Sequence, residues 1–293
     1  MLRPTKLAAA ITTAAVALVG PALVAGPAAR AATPDKPVRN SIDVKMTNAG
    51  FALPKETHAG FVTFEVSTKD TTGHQLQGLQ LHKGVSQAQI LADIREAINK
   101  KTAAAGIQAT QRDATLVGGA IVEPSTEVEA TVPLSKGTYW FFDFTQFFLP
   151  NAPTPVFHRL DVKGPFVGGV PLFSAVVDQV ETRGPRFRAP DRLRVGSTFL
   201  VRNQADEIHE LTFERVNPGV TNRDLTLFFA DKLKTNPFAE TAARGLAAQS
   251  PGRFQLLSFH ARAGSYALLC FIPDAKSGTP HALLGMHRVA DLE

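Results

Sequence analysis

Four residues in the second half of the chain have types and spacing that suit metal binding. Cys270 is the only cysteine among the 293 residues, and His281 and Met286 follow it in the same short stretch. Another histidine, His209, lies upstream in a segment where polar and apolar residues alternate. Two imidazoles, a thiolate and a weak thioether form a ligand set that suits copper in both of its oxidation states. We therefore predict that these four side chains bind one metal ion.

The expected location of the protein bears on the role of the cysteine. Two basic residues precede an apolar, alanine-rich stretch at 7–24, and residues 29–31 read Ala-Arg-Ala, which is typical of a cleavage site. We therefore predict a secretory signal peptide at 1–31 and an exported protein, secreted or associated with the cell wall. No later stretch is apolar and long enough for a membrane span, so we expect no transmembrane segment.

A single cysteine in an exported protein cannot form an internal disulfide. Cys270 is then a buried inert thiol, half of an intermolecular bridge or a metal ligand, and the nearby His281 and Met286 favour the ligand. The formal net charge of +5 includes the basic residues of the predicted signal peptide, so it is a weak argument for an anionic partner. Export also argues against a nucleic-acid partner.

The sequence contains two similar halves. His74 and His209 each lie ten residues before a glycine, and each is followed by a polar residue and a leucine. The stretch GTYWFFDF at 137–144 matches GSYALLCF at 264–271. Matches in the same order and at nearly the same spacing indicate a duplication, and a stretch rich in glycine and proline at 164–171 would join the two copies.

Each copy is predicted to consist mainly of strands. Short runs rich in β-branched and aromatic residues alternate with turn residues along both copies. One helix is expected in each copy, over 90–98 and 225–233, because apolar residues recur there at helical spacing. The pattern predicts an all-β fold of two tandem Greek-key β-sandwiches, at 41–163 and 171–293, each with one inserted helix.

With these features in place, the sequence resembles the cupredoxin family, the blue copper proteins. The loop from Cys270 to Met286 is similar to the ligand loop of plastocyanins and of the type 1 domain of copper nitrite reductases. The resemblance covers both copies and implies two cupredoxin-like domains. It also implies one type 1 copper in the second domain, held by His209, Cys270, His281 and Met286, and transfer of single electrons to a redox partner protein that the sequence does not identify.

One departure from the family pattern concerns the surroundings of the metal. Blue copper proteins often carry, after the upstream histidine, a small polar residue that forms a hydrogen bond to the thiolate sulfur, whereas this chain has Glu210. A carboxylate there is expected to change the potential or the affinity of the site. His287, beside Met286, is an alternative ligand.

The first copy lacks the complete ligand set. Asp143 replaces the cysteine and Val156 the second histidine, which excludes a blue site there. A site of hard ligands formed by His74, Asp143 and His158 is an alternative. We interpret the first copy as a structural or docking unit, whose aromatic cluster at 140–148 packs against the second copy or binds an apolar partner.

The residues beside the cysteine argue against an enzyme. Multicopper oxidases and nitrite reductases place a histidine on the strand beside the cysteine, whereas Leu269 and Phe271 flank Cys270 here. We therefore expect no enzymatic activity. Two other functions fit the sequence: a copper-free binding or structural module of cupredoxin type, and an extracellular copper carrier.

A basic run precedes the second copy. We interpret it as a solvated face, with the docking of an acidic redox partner or of the anionic cell envelope as the alternative. Its members are Arg183, Arg186, Arg188, Arg192 and Arg194.

Overall fold

The computed structural model describes residues 40–124, 126–149 and 153–293. The predicted signal peptide, residues 1–31, lies outside these ranges. Within them, no helix is long and apolar enough to cross a membrane. The prediction of an all-β fold is confirmed, because sixteen strands and only three α-helices make up the regular structure of the described residues.

The first copy, here called the first repeat, contains seven strands among its described residues. They are β1 (Asn40–Met46), β2 (Glu56–Thr68), β3 (His74–Leu81), β4 (Ala114–Val122), β5 (Glu127–Leu134), β6 (Gly137–Asp143) and β7 (His158–Val167). Two helices, α1 (Gln87–Ile98) and α2 (Ala103–Asp113), lie between β3 and β4.

The second repeat contains nine strands. They are β8 (Ala175–Glu181), β9 (Pro185–Arg188), β10 (Arg192–Leu193), β11 (Phe199–Asn203), β12 (His209–Val216), β13 (Phe238–Gln249), β14 (Phe254–Phe259), β15 (Gly264–Leu269) and β16 (His287–Leu292). One helix, α3 (Asn222–Phe229), lies between β12 and β13.

Strand pairing follows the same plan in both repeats. In the first, β3 lies between β4 and β6, and β6 pairs with β7; in the second, β12 lies between β13 and β15, and β15 pairs with β16. A buried tyrosine marks an equivalent corner in each repeat. The hydroxyl of Tyr139 donates to the carbonyl of Ser135, and that of Tyr266 donates to the carbonyl of Arg262, both at 2.9 Å. The pairing therefore agrees with a duplication.

The two repeats are joined through their sheets. Strand β4 pairs with β13, and β5 pairs with β14, so one continuous path of paired strands runs through both repeats. Buried glutamines strengthen the junction. The side chain of Gln77 exchanges two hydrogen bonds with the backbone of Ala248, both at 3.0 Å, and Gln255 accepts from the N–H of Gly119 at 2.9 Å. The domain boundaries at 41–163 and 171–293 stay a prediction.

The helices differ from the prediction in two respects. The first repeat has a second helix, α2, where one helix was expected, and α3 ends at Phe229 and not at residue 233. The chain leaves α3 at Asp231, which adopts a left-handed backbone conformation with φ of 55°. Side chains cap the N-termini of two helices: Ser86 accepts from the N–H of Gln89 before α1, and Thr221 forms a reciprocal capping box with Asp224 in α3.

Helices α1 and α2 cross in close contact at a glycine. A Cβ atom on Gly106 would lie 2.0 Å from the backbone nitrogen of Ala97, so only a residue without a side chain fits at the crossing. The close approach holds α2 against the body of the protein, where its outer face meets the loop at 272–278 of the second repeat.

Candidate metal site

Three of the four predicted ligands meet in the interior of the second repeat. The Sγ atom of Cys270 lies 3.7 Å from Nδ1 of His209 and 3.6 Å from Nδ1 of His281. The centroids of the two imidazole rings lie 4.5 Å apart. All three side chains are fully buried, so their donor atoms face one another and not water.

The spacing of these atoms is that of ligands around one ion. A metal–sulfur bond of about 2.3 Å and a metal–nitrogen bond of about 2.0 Å, at a tetrahedral or trigonal angle, place the two donors roughly 3.5 to 3.7 Å apart. Both measured sulfur–nitrogen distances agree with this range. The three donor atoms all lie within 4.8 Å of one another. The donor set and its spacing therefore fit a copper ion.

Two paired strands and one loop position the donors. His209 is the first residue of β12, Cys270 directly follows β15, and these strands are antiparallel neighbours. Backbone hydrogen bonds close the loop between the cysteine and the second histidine. The N–H of His281 donates to the carbonyl of Ile272 at 2.9 Å, and the N–H of Ala282 donates to the carbonyl of Cys270 at 2.7 Å. The site is therefore held by the backbone as well as by its side chains.

A short 3₁₀ turn that begins at His281 brings Met286 to the same region. The N–H of Met286 donates to the carbonyl of His281 at 2.8 Å. Gly285 ends the turn in the left-handed conformation, with φ of 106°, and a Cβ atom there would lie 2.5 Å from the guanidinium of Arg186. Met286 is fully buried in the same apolar cluster as Cys270. Its role as the fourth ligand stays a prediction.

His287, the alternative ligand, has other partners. Its Nδ1 donates to the carbonyl of Ala282 at 2.7 Å, and its Nε2 lies 2.8 Å from the hydroxyl oxygen of Thr226. Its ring lies 5.3 Å from that of Phe229, between centroids. Because both ring nitrogens are engaged elsewhere, the structure does not bring His287 to the three donors.

Glu210 does not remove the hydrogen bond to the sulfur. The backbone N–H of Glu210 donates to Sγ of Cys270 at 3.5 Å, and this contact does not depend on the side chain. The carboxyl group accepts from the N–H of Phe271 at 2.9 Å. Burial raises the pKa of Glu210 to about 7. The expected departure thus changes the electrostatics near the sulfur and leaves its backbone donor in place.

Burial keeps the three donors uncharged in the protein without metal. It lowers the pKa of His209 to about 3, and the neighbouring His281 contributes to the same shift. Burial also lowers the pKa of His281, although the carboxylate of Glu207 acts in the opposite direction. The pKa of the Cys270 thiol is raised well above its ordinary value by burial and by Glu210. Two neutral imidazoles are ready to bind a metal, whereas the thiol must first lose its proton.

Sequence reasoning missed a carboxylate beside the site. Oε2 of Glu207 lies 3.3 Å from Nε2 of His281 and accepts from the N–H of Ala275 at 2.8 Å. Glu207, Asp274 and His281 together offer ligand atoms within 4.8 Å of one another. No motif marks Glu207, and its position two residues before His209 is the only signal that the sequence gives.

Sequence reasoning also missed that the first repeat covers the ligand loop. The side chain of Gln108 in α2 donates to the carbonyl of Ala275 at 2.5 Å, and Gln111 accepts from the N–H of Ile208 at 3.3 Å. Ala275 also packs in an apolar cluster with Ile107. Helix α2 thus lies against both segments that carry the histidine ligands.

The equivalent position in the first repeat holds an ion pair. Nδ1 of His74 lies 2.7 Å from Oδ2 of Asp143, and Nε2 lies 3.4 Å from Oδ2 of Asp70. His158 is not part of this group, because its ring lies 4.1 Å from that of Phe51, between centroids. Among the described residues, both clusters with the spacing of metal ligands lie in the second repeat. The hard-ligand site is therefore not assembled.

The aromatic cluster of the first repeat packs largely inward. Phe142 and Phe147 share a buried apolar cluster with Ile208 and Ala248 of the second repeat. Phe148, in contrast, is 63% exposed. Most of the cluster thus contributes to the junction of the repeats, as one of the two sequence interpretations expects.

The predicted basic run does not form a uniform solvated face. Arg186 is half-buried and donates to the carbonyl of Leu284 at 2.6 Å, which ties β9 to the turn between the second histidine and Met286. Arg192 is exposed and lies 3.7 Å from the carboxylate of Glu293. Arg186 therefore supports the ligand loop, and docking of a partner or of the cell envelope by the run stays a prediction.

Solved structures to which a structural comparison matches this chain include blue copper proteins and copper enzymes. Auracyanin A from Chloroflexus aurantiacus is 18% identical, with 42% of this chain and 98% of that chain covered and a TM-score of 0.30. The blue copper oxidase of Nitrosomonas europaea is 12% identical, with 86% and 85% covered and a TM-score of 0.22. The copper nitrite reductase of the same organism is 11% identical, with 86% and 93% covered and a TM-score of 0.25. No family model matches the sequence, and no curated protein matches it.

The fold of the described residues is all-β. In its second repeat, His209, Cys270 and His281 converge as a group of donors that suits copper.

Proposed function

We propose that the protein is an exported blue copper protein that transfers single electrons. One type 1 copper would be held in the C-terminal repeat by His209, Cys270, His281 and Met286. The observation that carries the proposal is the convergence of two imidazole nitrogens and one sulfur, fully buried and at the spacing of ligands around one ion.

Bound copper would supply one-electron chemistry by changing between Cu(I) and Cu(II). The chain contributes a preset site. His209 and Cys270 lie at the ends of paired strands, so their separation is fixed by the sheet. Burial excludes water from all three donors, and the N–H of Glu210 stabilises negative charge on the sulfur. A site that rearranges little on a change of charge favours fast electron transfer.

The same burial argues against two other functions of a chain that binds copper, enzymatic catalysis and copper carriage. The three donors are fully buried, so they offer no open position to a substrate, and we propose that the protein is not an enzyme. A carrier must release its ion to an acceptor, and donors closed in by β12, β15 and α2 oppose such release. The partner would be a redox protein, and the ligand-poor first repeat would serve as a structural unit.

Copper titration of the chain from residue 32 onward tests the proposal. We expect an intense thiolate-to-copper absorption band that saturates at one equivalent, and an EPR spectrum with narrow copper hyperfine splitting. The Cys270→Ser variant should lose both signals. Reversible reduction with fast self-exchange would then distinguish electron transfer from copper carriage. A colourless protein that binds no copper would contradict the proposal and favour a copper-free binding module.

A further inference from the structure

The two imidazoles of the candidate site are held differently. Each turns its Nδ1 towards Cys270, so an ion bound by Nδ1 would leave Nε2 to carry the ring proton. Nε2 of His209 is buried and has no hydrogen-bond partner among the described residues. Nε2 of His281 faces the carboxylate of Glu207 at 3.3 Å. An acceptor on the outer nitrogen fixes the tautomer and the orientation of a histidine ligand, so only His281 has this support.

Glu207 is itself held in place at both its side chain and its backbone. Its Oε2 accepts from the N–H of Ala275, and its backbone carbonyl accepts from Nδ2 of Asn203 at 2.7 Å. The side chain of Asn203 also accepts from the N–H of Ala205 at 3.0 Å, which fixes the segment before β12. A buried carboxylate with a backbone donor and a fixed backbone has little freedom to leave His281.

The second carboxylate of the cluster has a different task. Oδ1 of Asp274 accepts from the backbone N–H groups of Lys276 and Ser277, at 3.1 and 2.5 Å, and so caps the turn of the ligand loop. Asp274 carries a similar charge close to His281, but Glu207 is the carboxylate that accepts a hydrogen bond directly from the imidazole. The chain therefore offers a matched pair of carboxylates, of which one contacts the ring.

We propose that Glu207 is a positioning residue for His281: its carboxylate accepts a hydrogen bond from Nε2–H of His281 and thereby holds Nδ1 towards Cys270. The inference extends the proposed copper site and rests on it wherever copper is measured. A carboxylate that accepts a hydrogen bond from an imidazole makes the other ring nitrogen a more basic ligand, which favours Cu(II) over Cu(I). Loss of such an outer partner typically lowers metal affinity by about 10- to 100-fold.

The first test needs no metal. Nitrogen-15 NMR of the histidine rings in the metal-free protein, at mildly alkaline pH, should show His281 as the Nε2–H tautomer in the wild type. Glu207→Ala should lose this preference, whereas the control Asp274→Asn should keep it. The isosteric Glu207→Gln retains an acceptor oxygen, so it covers the case in which the alanine variant does not fold. An unchanged tautomer in a folded Glu207→Ala variant would overturn the inference.

The second test uses the copper-loaded protein. In a redox titration, Glu207→Ala, which removes both the charge and the acceptor, should shift the ratio of Cu(I) to Cu(II) at a fixed ambient potential at least tenfold towards Cu(I), which is 59 mV for a one-electron couple. Asp274→Asn removes the same charge without touching the hydrogen bond and should shift the ratio less. Equal shifts in the two variants would show an effect of charge alone and would contradict positioning.

The two tests separate the inference from the proposed function. A protein that binds no copper but shows the expected tautomers refutes the copper site and supports the positioning of His281 by Glu207. A blue protein whose tautomer and potential do not respond to Glu207 refutes the inference and leaves the copper site standing.

Discussion

The two repeats place different chemical groups at equivalent positions. In each, a histidine at the start of one strand meets the residue at or just after the end of its neighbour: His74 meets Asp143 in the first, and His209 meets Cys270 in the second. Two carboxylates raise the pKa of His74 despite its burial, whereas nothing offsets the burial that lowers the pKa of His209. One backbone plan thus supports an ion pair in one repeat and a set of neutral donors in the other.

The largest expected effect comes from removing the carboxylate of the first repeat. Asp143→Ala leaves the buried imidazole of His74 and the N–H groups of Gln75 and Thr145 without their acceptor. We expect the free energy of unfolding, measured with a chemical denaturant, to fall by about 3 kcal/mol or more. The copper absorption band of the loaded protein should stay unchanged, because no donor of the second repeat contacts Asp143.

Asp143→Asn is the matched control, since its amide oxygen still accepts from both N–H groups, and it should lose less stability than the alanine variant. Loss of the blue band in a folded Asp143→Ala variant would break the comparison, because the first repeat would then take a direct part in the metal site.

A smaller effect is expected from a substitution at the crossing of α1 and α2, which holds α2 against the ligand loop. Gly106→Ala forces α2 away from α1, since the added Cβ atom meets the backbone at Ala97. We expect a loss of about 1 to 3 kcal/mol in the free energy of unfolding. Copper should also leave the variant faster when a chelator is added, because α2 holds Ala275 and Ile208 beside the histidines.

The control is Gly219→Ala. An added Cβ atom there meets nothing within 4 Å, but φ is 83°, so this variant strains the backbone without displacing α2 from the ligand loop. This variant should lose stability without faster release of copper. Equal release rates in the two variants would show that α2 does not retain the ion.

The smallest expected effect is the pH dependence of the first repeat. The pKa of His74 lies above the ordinary value of 6.5 in the folded protein. Burial lowers this pKa, but the hydrogen bonds and charges of Asp143 and Asp70 together raise it by more. The ion pair therefore contributes its full stability below pH 6.5 and loses it as the pH rises through the folded pKa.

Denaturant titrations at several pH values should show this alkaline decrease in the wild type and not in His74→Gln. The control is His158→Gln, since burial lowers the pKa of His158, and it should keep the decrease. An unchanged decrease in His74→Gln would assign the pH dependence to other groups.

The sequence predicted the features that depend on residue type and spacing. A lone cysteine, two histidines and a methionine gave the candidate ligands, of which the structure brings three together. The repeated motifs predicted the duplication, and the pairing of strands agrees with it. Helix α2 was not predicted, because AAAGIQATQRD carries too few large apolar residues to show a helical period.

The contacts around the site could not be predicted for a different reason. Glu207 reaches His281 across 74 positions, and His74 reaches Asp143 across 69. Only the folded sheet and the cover by α2 bring such residues together. Both partners of the ion pair, His74 and Asp143, were named from the sequence, but as a hard-ligand site together with His158. The structure places His158 against Phe51.

The burial of the donors sets the lifetime of a bound ion. With all three side chains fully enclosed, an ion can leave only as fast as the surrounding segments open, and such openings range from easy local fraying to unfolding of the whole domain. Helix α2 is one of these segments, although it belongs to the repeat that has lost the ligands. How long a bound metal would stay is therefore a property of both repeats, and not of the four proposed ligand residues alone.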